Sequence, residues 1–363
     1  MCSARTPVPA SRPVAWPDER AVAVVGAYGH TGRFVVAELL RRGATPVLIG
    51  RDRAKLDGLR DLAPDARVCV ASIEDPDSLD RAFHGAAAVV NCAGPFGATA
   101  RPVADAALRA GLPYLDVGAE QAVSAALFDT YGDRARNAGV VIAPSVAFYG
   151  ALGDLLATAA LGAWTDADEI TLAYGLDSWL PTLGSRLTGK SNAGQHLTYT
   201  AGELRPFDYS SSVFPWDFPE PFGRQDASPF ATADQVSLSR HVRTPEVRAV
   251  MNLAPLKDVG DPDTPAPVPA DAKGRSAQTF LVEAIVRRGQ EVRRAVAGGR
   301  DIYAVTAPLV VEALARILEG RCTVTGVVAA GEAFDAADFL RALTPDHLDR
   351  LDLPTGEGDA STG

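Results

Sequence analysis

Cysteine is scarce in this 363-residue chain: Cys2, Cys69, Cys92 and Cys322 lie far apart, with no C-x-x-C pair and no neighbouring histidine. That spacing argues against a disulfide framework and a zinc site, and no metal is expected. Cys69 and Cys92 sit in apolar runs and read as small buried hydrophobes. Long hydrophobic runs are also missing. The apolar stretches 21–26 and 86–90 stop far short of the ~20 residues that a membrane-crossing helix needs, so no membrane span is expected. Lysine is sparse, and a net charge of −10 is spread along the chain rather than gathered in a tail. No phosphate-tracking surface follows from such a distribution, which argues against nucleic acid as a partner. Residues 1–18 lack the apolar core of a secretory signal; they read as a poorly ordered lead-in to a cytoplasmic protein.

What is present is enough chain for two domains and, at 47% hydrophobic, enough apolar surface for a sizeable core. From residue 21 short apolar runs alternate with longer amphipathic stretches. Six strands are predicted at 22–26, 46–50, 67–72, 87–93, 113–117 and 140–145. Helices are predicted between them at 31–42, 52–61, 76–83, 99–110 and 121–137. Runs that are apolar at every position suit strands buried on both faces, so the fold class is α/β, a Rossmann-type doubly wound parallel sheet. After residue 145 the rhythm breaks. Two Val-rich runs, 279–288 and 290–298, read as an antiparallel hairpin, and 170–176 and 236–242 as further strands of a second, α+β domain containing an antiparallel sheet. A helix at 306–318, a short run at 324–329 and an amphipathic stretch at 333–343 suggest a return to the first domain. The division expected is therefore 19–148 plus about 301–350 for the dinucleotide domain, 149–300 for a substrate and dimerisation domain, and a disordered tail at 352–363.

Gly26, Gly29 and Gly32 follow the first strand and open the first helix. The first glycine permits a tight turn, the second lets backbone approach a pyrophosphate, and the third lets helix and strand pack closely. The turn as a whole, with Tyr28, His30 and Thr31, is assigned to the cofactor, its phosphates resting on the helix N-terminus. The second strand ends on Gly50, where an NAD-preferring site would place an acid. Arg51 follows, whose planar guanidinium suits a 2′-phosphate with room left by the glycine, and NADP(H) is the expected cofactor. Asp52 is the contrary signal, and it also fits the N-cap of the next helix. Ser72 and Ile73 should flank the adenine. Asn91, Ala93, Gly94, Pro95 and Phe96 should lie at the nicotinamide end.

The glycine turn, the segment from Asn91 to Phe96 and Tyr114-Leu-Asp116-Val-Gly-Ala-Glu120 resemble the saccharopine dehydrogenase-like reductases, which include trans-acting enoyl reductases. The resemblance covers about the first 150 residues. It implies an NADP(H)-dependent oxidoreductase, often a homodimer, whose second domain covers the nicotinamide. Many members carry Gly-Phe-Asp-Ser-x-Pro-x-Asp after the sixth strand; here Tyr149 replaces the first Asp, and Asp154 remains.

No lysine stands four residues after any tyrosine, which excludes the Tyr-x-x-x-Lys chemistry of short-chain dehydrogenases. Tyr149 is the leading candidate general acid. It could equally be an ordinary aromatic at the domain junction. Asp154 and Lys190 are further catalytic candidates, and Asp116, Glu120, His196 and Tyr303 weaker ones. Residues 184–191 match the phosphate-loop pattern G-x-x-x-x-G-K-[ST], but without the strand that must precede it. The function expected is hydride transfer to an imine or iminium C=N bond of a small-molecule substrate. Reduction of a conjugated C=C is the second reading, and an NADP(H)-sensing protein without turnover the third.

Overall fold

β1 (Ala21–Val25) is apolar at every position because both of its faces are covered: Val22 and Val24 enter one core, Ala23 and Val25 the other. The same two-sided burial governs β2 (Thr45–Gly50), β4 (Ala86–Asn91), β5 (Tyr114–Asp116) and β6 (Val141–Ala143), while β3 (Arg67–Val70) is a more exposed edge strand. They pair in parallel in the order 3-2-1-4-5-6, with the short strand Gly326–Val327 added beside β6. The linking helices are α1 (His30–Arg41), α2 (Arg53–Asp57), α3 (Pro76–Phe83), α4 (Phe96–Ala110) and α5 (Gln121–Ala138). Gly111 and Gly139, both with φ of 66°, end α4 and α5 in the left-handed conformation that glycine adopts without strain. The computed structural model describes residues 21–208, 212–322 and 324–354, so the expected lead-in and most of the expected tail lie outside the described residues.

Beyond β6 an irregular helical turn, Phe148–Leu152, leads into α6 (Gly153–Leu161), and β7 (Glu169–Leu176) starts the second sheet. This sheet is mixed and mostly antiparallel. Its centre is the expected hairpin, strands Thr279–Arg288 and Glu291–Arg300, with β7 antiparallel to the first and parallel to Glu246–Asn252. The helix α7 (Leu183–Ser191) stands apart from the sheet and buries none of its residues.

Two expectations are corrected. The run 236–242 is not a strand but lies mainly in α8 (Ala233–His241), started by a capping box between Thr232 and Gln235. This local bonding overrides the alternation of Val236 and Leu238. Nor does all of 301–350 return to the first domain. The helix Thr306–Leu318 packs on α1, but Ala336–Ala342 packs on α6, and Leu348–Asp352 pairs with Glu291–Arg300 in the second sheet. A buried ion network clamps α1 to Thr306–Leu318: Arg42 bonds Glu38 at 2.7 Å and Glu312 at 2.5 Å, and Arg316 bonds Glu312 at 2.8 Å. Charges so deep persist only when paired in this way. Among the described residues no helix is long and apolar enough to cross a membrane.

Candidate functional site

A cavity of about 1090 Å³ lies at the C-terminal ends of β1, β2 and β4, roofed by the second domain. Its size lies just above the ~300–1,000 Å³ usual for small-molecule sites. The glycine turn forms one wall. Gly26 has φ of 79°, and a Cβ there would sit 2.9 Å from the Ala93 backbone, so glycine lets the ends of β1 and β4 approach at the point where strand order reverses. A Cβ on Gly32 would overlap the Gly26 carbonyl, and one on Gly29 would press on the same oxygen at 3.1 Å. No side chain caps α1, so its first-turn N–H groups and dipole face the cavity without an anion. The N-terminus of α4 differs. The Glu120 carboxylate accepts from Phe96 N at 2.7 Å and Gly97 N at 2.8 Å, so this helix already has its negative charge. Glu120 therefore caps the preceding helix, not the following one.

At the β2 end, Arg51 and Lys55 line the cavity; Arg51 is exposed and has no hydrogen-bond or ion-pair partner among the described residues. Asp52 accepts from Lys55 N at 3.2 Å as the N-cap of α2 and does not line the cavity. The space that Gly50 leaves is not empty: a Cβ there would overlap the Tyr28 ring, with Lys55 Nζ 5.7 Å from that ring's centre. The expected room for a phosphate is thus filled by an aromatic face.

Several expected contacts prove to be supports. Ser72 does not line the cavity, although Ile73 does; its backbone bonds Ser78 Oγ. Buried Asn91 donates to Thr99 Oγ1 and Tyr114 OH and accepts from Ala93 N at 3.0 Å, fixing the loop whose Ala93, Gly94, Pro95 and Phe96 do line it. Gly32 likewise acts through packing. Asp116 is fully buried away from the cavity, accepting from Ser145 N, Gly118 N and Tyr114 OH, and burial raises its carboxyl above the usual range.

Tyr149 lines the inner end. Gly150, with φ of 132° and no space for a Cβ beside the Ser145 carbonyl, makes the sharp turn that projects it. Its ring centre lies 4.8 Å from that of Phe148, 5.3 Å from Tyr174, 5.5 Å from Trp179 and 5.7 Å from Phe230. Tyr149 is 8% exposed, and its buried hydroxyl has no hydrogen-bond partner. Burial pushes that phenol well above its ordinary value, so it stays protonated. His30 Nε2 is a second buried polar atom without a partner; the imidazole stands edge-on to Tyr303 at 5.2 Å, and burial lowers its pKa. The Tyr303 hydroxyl, by contrast, is fully engaged by Trp179 Nε1 at 3.1 Å, Ser185 Oγ at 2.8 Å and Thr182 N at 3.4 Å. His196 also lines the cavity.

Asp154 and Lys190 are corrected. Asp154 is fully buried outside the cavity, bonded to His241 Nε2 at 2.7 Å and to Gly331 N at 2.7 Å, and so joins α6 to α8. Lys190 is exposed on α7 and does not line the cavity. Residues 184–191 all lie within α7, so their N–H groups serve the helix and cannot form a phosphate loop. The aromatic-rich stretch 179–230, expected to line the substrate pocket, supplies Trp179 and Phe230 to the cavity wall, whereas sequence reading missed Gln121, which ties the domains. Gln121 Nε2 donates to the carbonyls of Leu197 and Thr232, and its Oε1 accepts from Leu197 N. Among the described residues no cluster of His, Cys, Asp and Glu is arranged to hold a metal.

An NAD(P)H-binding family matches residues 26–126. Over 140 residues the chain is 32% identical to a saccharopine dehydrogenase-like oxidoreductase of Arabidopsis thaliana, covering 34% of this chain and 31% of the relative. Over 150 residues it is 29% identical to the saccharopine dehydrogenase-like oxidoreductase of Homo sapiens, covering 36% and 35%. The match thus spans about a third of the length of these curated relatives. Apo saccharopine dehydrogenase (L-Glu forming) from Saccharomyces cerevisiae shares the fold across 93% of this chain and 100% of its own, with a TM-score of 0.63 at 11% identity.

Proposed function

We propose that this chain, a distant relative of the saccharopine dehydrogenase-like oxidoreductases with an NAD(P)-binding domain, is an NADPH-dependent reductase of a polarised double bond in a small molecule. The observation that carries this reading is the buried, unpartnered Tyr149 hydroxyl at the inner end of a cavity whose outer wall is the glycine turn. The residues fit the dinucleotide: the open N-terminus of α1 with Gly26, Gly29, His30 and Thr31 suits the diphosphate, and Ala93 to Phe96 suit the nicotinamide half. Arg51, unpaired beside Lys55, supports NADP(H) over NAD(H), as does the use of Asp52 in a helix cap.

The bound cofactor supplies hydride. Tyr149 donates a hydrogen bond to the heteroatom of the acceptor and, as negative charge grows there, its proton. A C=N bond remains the first reading. No carboxylate lines the chamber beside Tyr149 to balance an iminium, so the imine would bind neutral and be protonated there. The same hydroxyl favours a second reading, a C=C bond conjugated to a carbonyl whose oxygen Tyr149 holds. Mixing NADPH and protein with neutral cyclic imines and conjugated enones, and following loss of the reduced-nicotinamide absorbance, tests both. Tight NADPH binding with no oxidation by any acceptor refutes the reductase and favours a sensor.

A further inference from the structure

We propose that the substrate is uncharged and apolar, with one hydrogen-bond acceptor at its reacting end and a hydrocarbon body that leaves the cavity over Leu187 and Leu183. This names the substrate class of the reductase site above and rests on that reading.

The cavity has two chemically different ends. Among the described residues the acidic and basic side chains lining it are Arg51 and Lys55, at the β2 end, Asp208, which is exposed, and the imidazoles of His30 and His196, which burial shifts toward the neutral form. Against Tyr149 stand the rings of Trp179 and Phe230, and Leu256, Val259 and Ile302 add apolar surface to the same cavity. A carboxylate brought to that depth would lose its hydration, meet no cation and face the buried Asp234 behind Tyr174, a cost of several kcal/mol. The nearby cations are placed elsewhere. The Arg186 guanidinium is held by the carbonyls of Asp261 and Thr264, and neither Lys190 nor Lys257 lines the cavity. Amino acids and dicarboxylates therefore do not fit. Free polar atoms are few: the Tyr303 hydroxyl is engaged three times, whereas the Tyr149 hydroxyl and His30 Nε2 have no partner, and His30 belongs to the glycine turn assigned to the cofactor. One acceptor atom satisfies Tyr149.

The way out is apolar as well. Leu183 and Leu187, one turn apart on α7, line the cavity yet are 75% and 44% exposed, on a helix that buries none of its residues. Two leucines held at a cavity mouth without protein cover are accounted for by an alkyl or aryl group lying against them.

The test uses the oxidised cofactor, which has no hydride to give, so that binding is read apart from turnover. Alkan-2-ones and alkanoates of rising chain length are titrated by calorimetry into the NADP⁺-loaded protein. Ketone affinity is expected to rise about fourfold per methylene until the chain passes Leu187, as ~0.8 kcal/mol per methylene requires, with the matching alkanoates at least tenfold weaker because their charge is buried unpaired. Leu187→Arg should reverse the order, raising alkanoate affinity at least tenfold, while NADPH affinity reports an intact fold. Equal binding of ketone and alkanoate, no dependence on chain length, or no binding of either series overturns the proposal. Ketone binding as expected, without NADPH oxidation by the unsaturated counterparts, overturns the reductase reading and leaves this one standing.

Discussion

Replacing Tyr149 by Phe should slow the enzyme and stabilise the protein at once. The ring is held by Phe148, Tyr174, Trp179 and Phe230, contacts that phenylalanine keeps. The hydroxyl, however, is buried without a partner, and a buried polar group left unsatisfied costs ~1–3 kcal/mol. Its removal should raise Tm by roughly 1–4 °C for a chain of this size. The same group is the donor awaiting the acceptor heteroatom, and loss of one such donor lowers kcat by ~10²–10³. NADPH affinity should not change. Differential scanning fluorimetry, NADPH titration and turnover on one preparation supply the three readouts. A variant that melts lower than wild type would mean that the hydroxyl has a structural partner, and unchanged kcat would remove Tyr149 from the chemistry; either result refutes the reasoning.

Arg51→Ala should weaken NADPH by roughly ten- to a hundredfold and leave NADH nearly unchanged, as read by fluorescence titration; equal losses would contradict the assignment of a 2′-phosphate. Glu120→Gln removes the charge that α4 carries at its N-terminus and should cost ~1–2 kcal/mol in chemical denaturation without changing the cofactor preference. Asp234 accepts from Tyr174 OH at 2.7 Å, and burial raises its pKa from 3.8 to about 6. Between these values the unfolded chain releases this proton and the folded one keeps it, so stability falls as pH rises from about 4 to about 6. Asp234→Asn should abolish that component, about 3 kcal/mol over the window; parallel stability profiles for wild type and variant would show that Asp234 does not titrate there.

The dinucleotide half of the fold was legible because its signals are local. Strands buried on both faces are apolar at every position, and the glycines of the turn answer to backbone contacts made within a few residues, such as Gly32 against the Gly26 carbonyl. The second half depends on partners distant in sequence. The strand Leu348–Asp352 joins its sheet through Glu291–Arg300, and nothing in its own residues announces that neighbour. The run at 236–242 was misread because Thr232 and Gln235, just before it, set a helix. In the site, Tyr149 was found by its place after β6, and the structure adds what spacing cannot contain, the missing partner of its hydroxyl. Asp154 looked functional because a carboxylate near a sheet edge often is; its bond to His241 shows it spent on joining two helices.

The amide of Gln121 has a bearing on how ligands come and go. At the start of α5 it holds the carbonyls of Leu197 and Thr232 and the N–H of Leu197, so swinging the domains apart as rigid halves would strip three hydrogen bonds from one buried residue. The helix α7 buries none of its own residues and is tied down by Ser185 to the Tyr303 hydroxyl and by Arg186 to the carbonyls of Asp261 and Thr264. A shift of α7 would thus cost its side chains no burial of their own, whereas parting the domains would cost the buried amide of Gln121 all of its partners.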